Sequence, residues 1–330
     1  MRIILCIIAS ILSILPVTQS APATGIQRAP AIDYHQHLFS PAAGALVTGK
    51  SDSPGISARD LIALLDSAGI RRALVLSMAY TWGKASRAPV ENEYEHVKAE
   101  NDWTAQQVAQ YPDRLRAFCS FNPLKPYALA ELARCSKDRQ LHFGLKLHFG
   151  NSDVDLYNPK DVAQVKKVFR AANGYRMPIV VHLHTSIDNH RKYRAEQARV
   201  FLNELLPAAP EVPVQIAHLA GSGGYDDTTD AALSVFTNAI AKRDVRMKNV
   251  WFDAAVVVRP DMQLDQLERI AARIRQIGIK RVLYGSDAAG SPLAYPKAGW
   301  AAFQRVPLTN AELGVIANNI APYMRDFAVR

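Results

Sequence analysis

Eight apolar runs, interleaved with helix-patterned segments, constrain this chain more than any other feature of it. They read as strands over Ala31–His37, Ala73–Ala79, Leu115–Phe121, Phe143–Phe149, Ile179–His184, Val214–Leu219, Val250–Ala254 and Val282–Asp287. Several are continuous rather than alternating, as in Ile179-Val-Val and Val282-Leu-Tyr. A strand with no polar face is covered on both faces, the condition of a parallel sheet flanked by helices. The segments between carry helix signals. Ser57, with Asp60 three residues on, caps a stripe of Leu61, Leu64, Leu65 and Ala68 that stops at Gly69. Asn158-Pro159 opens a second, with Val162, Val165 and Phe169 running to Gly174. Leu264, Leu267, Ile270, Ala271 and Ile274 form a third, ending at Gly278. Thr309 opens the last, through Leu313 and Ile316 towards Ile320. Eight such alternations fit a closed barrel or an open doubly wound sheet, and periodicity does not choose between them. No glycine-rich phosphate fingerprint follows the first strand, which counts against a nucleotide-binding sheet. Longer loops, 38–54 and 80–92, follow the first two strands and would overhang the catalytic face of a barrel.

The chain has 330 residues, 49% of them hydrophobic, enough for one large domain over 24–330, with two smaller domains as the rival. Residues 1–23 read as a signal peptide: Arg2, an apolar stretch Ile3–Pro16, then small residues, with cleavage near Ser20 or Ala23. The apolar stretch is short for a membrane span, so the mature chain is expected to be periplasmic or secreted with no stable membrane span. Cys6 sits too early for a lipoprotein cleavage site. The formal net charge of +9 comes from scattered basic residues, which read as a solvated surface. No nucleic-acid-binding signature appears. Cys119 in an apolar strand and Cys135 in a helical run are expected as buried free thiols, a disulfide being the alternative.

The chemistry sits at strand ends. In Asp33-Tyr-His35-Gln-His37 the two histidines fall on one side of a strand, where two imidazoles can share a metal. Lys146 and His148 lie in Phe143-Gly-Leu-Lys-Leu-His, His182 and His184 close Pro178-Ile-Val-Val-His-Leu-His, His218 follows Val214-Gln-Ile-Ala, and Asp287 follows Val282-Leu-Tyr-Gly-Ser. Buried unpaired, each of these groups is costly, and a shared metal at the strand ends serves all of them at once. Separate hydrogen-bonded core residues would need an unrelated partner each.

Together, Asp33-X-His35-X-His37, Gly144-Leu-Lys-Leu-His148, His182, His218-Leu-Ala-Gly and Gly285-Ser-Asp287 resemble the amidohydrolase superfamily, and its amidohydrolase-related branch in particular. That branch holds hydrolases, lactonases and nonoxidative decarboxylases. The resemblance spans Ala31 to the last helix and implies a (β/α)8 TIM barrel. It also implies metal ligands at His35, His37, His182 and Asp287, with His218 and Asp287 as the catalytic pair. His218 corresponds to a residue that binds a second metal or contacts the reactive water. Lys146 stands where some relatives carry a carboxylated, metal-bridging lysine; it bridges metals or contacts substrate. His184 competes with His182 as the fifth-strand ligand. Asp33 is expected to orient a ligand or the strand; the charges of Arg191 and Lys192 read as a solvated loop, with contact to an anionic substrate as the alternative. The implied cofactor is a divalent metal, zinc by expectation, one per chain with two as the alternative. The implied activity is hydrolysis of a small-molecule amide, ester or lactone by water made acidic at the metal. Two alternatives stand beside it: a metal-dependent nonoxidative decarboxylase, and an inactive binding relative.

Overall fold

All eight runs form parallel strands in a computed structural model that describes residues 29–84, 86–185, 192–288 and 295–328. The leader and Arg191 lie outside these residues. The strands are β1 (Ile32–Gln36), β2 (Arg72–Leu76), β3 (Leu115–Ser120), β4 (Leu145–His148), β5 (Ile179–His182), β6 (Val214–Ile216), β7 (Val250–Asp253) and β8 (Val282–Leu283), paired in sequential order. The alternative left open by periodicity is decided where the sheet's two edges meet. The Tyr34 N–H donates to the Tyr284 carbonyl at 2.9 Å and the Asp287 N–H to the His35 carbonyl at 2.7 Å. The sheet therefore closes into a TIM barrel rather than ending in two open edges.

Helices cover the outside, and their ends follow their sequence signals. Ser57 and Asp60 form a reciprocal capping box on Ala58–Ala68, which Gly69 stops in the left-handed region at φ 70°. Asn158 caps Pro159–Gly174, and Thr309 with Glu312 caps Asn310–Asn318. The 38–54 segment is not a bare loop. It contains the helix Pro41–Thr48, started by the Ser40 cap and Pro41 and stopped by Gly49.

Alternation divides the strand residues between two cores. Val75, Ala117, Leu147, Val181, Ile216 and Phe252 face the helices, while Ile32, Tyr34, Leu74, Leu76, Phe118 and Val180 fill the barrel interior. The C-terminal segment joins the interior core through Tyr323, Met324 and Phe327. The Arg116 guanidinium lies over the Phe327 ring and also donates to the Tyr323 carbonyl.

Cys119 and Cys135 are joined in a disulfide, correcting the expectation of free thiols. Cys119 points outward from β3 and Cys135 lies on the buried face of the helix Ala128–Cys135, so the two meet beneath that helix with Cα atoms 6.2 Å apart. The bond closes a loop of 16 residues. Replacing both cysteines by serine should lower stability in urea unfolding by about 3 kcal/mol, the chain-entropy value for a loop of this size. Unchanged stability would mean that the bond does not form in solution.

Candidate active site

An insertion in β1 aims the first two histidines. Between Asp33 and Gln36 the strand advances three residues while β2 advances only from Ala73 to Val75. This bulge resets the alternation. Tyr34 faces the interior core, and His35 and His37 face the same interior above it. The carboxylate of Asp33 fixes the bulge by accepting from the His35 N–H at 3.1 Å, the Ser286 N–H at 3.0 Å and Gln36 Nε2 at 2.7 Å. Burial pushes its carboxyl up to about 6 against these bonds. The expected orienting role of Asp33 thus takes the form of tying β1 to β8. Gly285 makes the approach feasible, since a Cβ there would stand 2.7 Å from His35 Cβ.

The other groups come from strand ends at the same face of the barrel, where (β/α)8 enzymes carry their chemistry. Lys146 and His148 point inward from β4, and His148 pairs in register with His182 of β5. Their rings stack at 3.9 Å. After β6 the backbone turns through three successive left-handed residues, His218, Leu219 and Ala220, at φ 54°, 50° and 69°. Strain of this kind persists where surrounding structure enforces it. Asp287 follows β8, also left-handed at φ 55°, a conformation that aspartate tolerates.

These side chains surround a cavity of about 320 Å³. The ligand atoms of His35, His218 and Asp287 lie within 4.8 Å of one another. His37 Nε2 is 3.4 Å from Asp287 Oδ1. His182 lines the cavity, whereas His184 packs on Tyr193 with ring centroids 4.2 Å apart. Tyr80 and Met78, which the sequence reading passed over, form part of the wall.

Hydrogen bonds decide which nitrogen of each ring faces the cavity. A carbonyl oxygen can only accept, so His37 Nδ1 donates to the Leu76 carbonyl at 2.7 Å and His218 Nδ1 to the Ala255 carbonyl at 2.8 Å. His35 Nδ1 donates to Asp253 Oδ2 at 3.1 Å. Each of these rings is left with its Nε2 lone pair free to bind a cation, the arrangement of metal-bound histidines. Lys146 Nζ already sits 3.1 Å from His35 Nε2, a positive group on that lone pair. His182 Nε2 is buried with no hydrogen-bond partner among the described residues. The donor set fits a divalent metal on each of these counts.

Burial sets the charge states. It holds the His37 imidazole down at about 3 and that of His218 at about 4, and those of His148 and His182 well below the usual range. Asp287 stays below the usual carboxylate range, because His35, His37, His218 and Lys146 outweigh its desolvation. Lys146 is depressed to about 8 by burial, which Asp287 and Asp253 partly offset.

Asp253 is the functional residue that the sequence reading missed. It ends Val250-Trp-Phe-Asp as Asp287 ends its own run, so the same signal was available. The buried carboxylate takes four bonds: from His35 Nδ1 and Gln215 Nε2 on Oδ2, and from the His218 and Ala255 N–H groups on Oδ1. Desolvation raises its carboxyl, but the two histidines and these donors win and hold it ionised.

The family model described as amidohydrolase matches residues 32–317. The chain belongs to the amidohydrolase family. It falls in the branch suggested by its motifs, among metal-dependent enzymes acting on small molecules. No curated protein matches this amidohydrolase. Solved structures share its fold. A probable 2-pyrone-4,6-dicarboxylic acid hydrolase from Acinetobacter baumannii, with citric acid bound, superposes with TM-score 0.59 at 16% identity, over 91% of this chain and 100% of its own. A 2,6-dihydroxybenzoate decarboxylase from Rhizobium gives 0.58 at 14%, over 91% and 99%. A 5-carboxyvanillate decarboxylase from Novosphingobium aromaticivorans, complexed with manganese and a nitrobenzoic acid, gives 0.59 at 14%, over 93% and 97%. At such identities the likeness is one of fold.

Asp253→Asn would set an amide N–H against His35 Nδ1, so that Nδ1 accepts and the ring proton moves to Nε2, which faces the cavity. Metal affinity, read by chelator competition, should fall about 10–100-fold. Unchanged affinity would sink the tautomer argument.

Proposed function

We propose that this amidohydrolase hydrolyses the carbonyl of a small amide, ester or lactone, using one divalent metal with His218 and Asp287 as the proton-transfer pair. The observation that carries the reading is the convergence of proton acceptors. His218 presents a lone pair because its other nitrogen donates to Ala255, Asp287 presents a carboxylate, and both lie within 4.8 Å of the His35 ligand atom. Two acceptors at one point suit removal of a proton from an attacking water. A divalent cation held by His35, His37, His182 and Asp287 would polarise the carbonyl and make a water more acidic. Asp287 takes the water's proton, and His218 holds the water in line and relays the proton to the leaving group. The nitrogen-rich donor set favours zinc. We assign Lys146 to the substrate rather than to a second metal.

Decarboxylation is the second reading, and Lys146 favours it. A buried ammonium beside the metal ligands suits a substrate carboxylate, the group that such a reaction expels. The two readings part on labelled water. Hydrolysis puts oxygen from the solvent into the product, whereas decarboxylation releases carbon dioxide without that label. We expect label in the product, and about 10²–10⁴-fold lower kcat in His218→Asn and in Asp287→Asn. His218→Asn should retain metal, and Asp287→Asn should bind it more weakly. Carbon dioxide release without label replaces the first reading with the second, and full activity in His218→Asn removes that residue from the mechanism.

We further propose that the leader over 1–23 exports the chain to the periplasm or beyond. The Cys119–Cys135 disulfide supports this, since such bonds persist in oxidising compartments. N-terminal sequencing of exported protein should find a start between Ser20 and Thr24; an intact Met1 would contradict it.

A further inference from the structure

The face of the barrel opposite the cavity carries a patch that the chemistry does not use. The connections 242–249 and 278–281 lead into β7 and β8, so they lie at the N-terminal ends of those strands, away from the cavity. They hold Lys242, Arg243, Arg246, Lys248, Lys280 and Arg281, against Asp244 as their one acid. Asp244 is taken up by the Arg246 guanidinium, whose Nε donates to it at 2.9 Å. Arg281 Nη1 donates to the Met247 and Val250 carbonyls, which leaves its charge unneutralised. Among the described residues no carboxylate lies within ion-pair distance of Lys242, Arg243, Lys248, Lys280 or Arg281. Amid these cations stands Val245, 84% exposed, the most exposed large hydrophobic side chain of the described residues. On one side of it a cavity of about 330 Å³ is lined by Leu206, Ala209, Val212 and Val250. On the other a cavity of about 350 Å³ is lined by Ile240, Met247, Arg243 and Arg281, and Val245 and Lys248 border both. A single exposed valine is ordinary, but one set between apolar cavities and ringed by unpaired cations makes an amphipathic surface.

We propose that this end of the barrel docks on an anionic lipid surface, with Val245 entering the boundary between headgroups and acyl chains and the surrounding lysines and arginines set against lipid phosphates. Charge complementarity selects the partner, since each Lys or Arg held near such a surface adds to the attraction. Ammonium and guanidinium groups both bond phosphate oxygens well. The valine and the apolar cavities beside it select lipid over other polyanions, because only a lipid surface offers an acyl phase to an apolar side chain. The location fits as well. Docked by the N-terminal ends of its strands, the barrel turns its cavity to the aqueous phase, where a small substrate reaches it freely. Cations serving to attract substrate would belong at the mouth instead. One valine and a few cations make a reversible anchor rather than a span, and no helix of the described residues is long and apolar enough to cross a membrane. The proposal does not rest on the reaction assigned to the cavity.

The experiment is co-sedimentation of the purified exported protein with vesicles of phosphatidylcholine alone and of phosphatidylcholine mixed with an equal part of phosphatidylglycerol. Wild type should partition onto the mixed vesicles at least about tenfold more strongly. That advantage should fade as salt shortens the Debye length from about 10 Å to about 3 Å. Lys242→Glu combined with Lys248→Glu should weaken binding to the mixed vesicles by about tenfold or more. Lys50→Glu combined with Lys160→Glu changes the net charge equally at exposed positions near the other end of the barrel, and should cost less than about threefold. This pair separates docking by one face from attraction of the whole basic chain. Val245→Ser keeps the charge and should weaken binding by about three- to tenfold. Unchanged thermal melts and metal content show that each variant keeps its fold and its cavity. Equal binding of wild type to both vesicles, or to neither, overturns the proposal. So do equal losses in the two charge-reversed pairs, undiminished binding by Val245→Ser, or binding of a DNA oligonucleotide in place of the mixed vesicles.

Discussion

The carboxylate of Asp253 is the constraint on which the rest of the site depends. It lies fully buried at the end of β7, where an unpaired charge would be prohibitive. Four donors from three segments stabilise it there: the His35 ring, the Gln215 side chain, and the His218 and Ala255 backbone. Each bond has a consequence beyond charge balance. The bond to His35 selects which nitrogen of that ring faces the cavity. The bond to the His218 N–H holds the first of three left-handed residues, the turn that carries the His218 ring inward. Gln215 also accepts from the Tyr323 hydroxyl, so the C-terminal segment under the barrel is linked through two side chains to a candidate metal ligand. A network satisfied at every member is rigid, and rigidity is what ligand geometry requires.

Barrel closure and site assembly are one event. β8 meets β1 at Gly285, Ser286 and Asp287, and these residues, with the β1 bulge, form the seam. Without the bulge, strict alternation would send His35 and His37 to the face opposite Tyr34, into the helix layer. With it, Tyr34 helps to fill the interior core and the histidines stand above it. The cost of a broken ladder is offset by Asp33, which accepts from the backbone on both sides of the seam.

Much of this was legible in the sequence, and the limits have physical causes. The eight strands were legible because continuous apolar runs have few alternative homes. The ring of His35, His37, His182, His218, Asp287 and Lys146 was legible because polar groups ending such runs need a common partner. Asp253 obeyed the same rule and was passed over for want of a neighbouring motif. Closure was not legible from periodicity, since a closed and an open sheet share one pattern; it depended on bonds between residues some 250 apart. The disulfide was not legible because a separation of 16 residues says nothing about whether a strand's outer face and a helix's inner face bring two sulfurs together. The choice between His182 and His184 needed the end of β5, beyond which strict alternation no longer applies.

Proton direction was the least legible feature, because it is fixed by backbone groups whose positions no motif records. Leu76, Ala255 and Asn151 are not recognisable as functional residues; they act through a carbonyl, a carbonyl and an N–H. Yet these three atoms sort chemically identical side chains into two kinds. Two carbonyls turn His37 and His218 into inward lone pairs, fit for a cation or for accepting a proton. One amide turns His148 into an inward donor, unfit for either role as a neutral ring. Substituting a loop residue that shifts one of these backbone atoms would therefore alter the chemistry of a histidine without touching it. In this barrel the identity of a functional side chain is set by the strand that bears it, and its role by the backbone beside it.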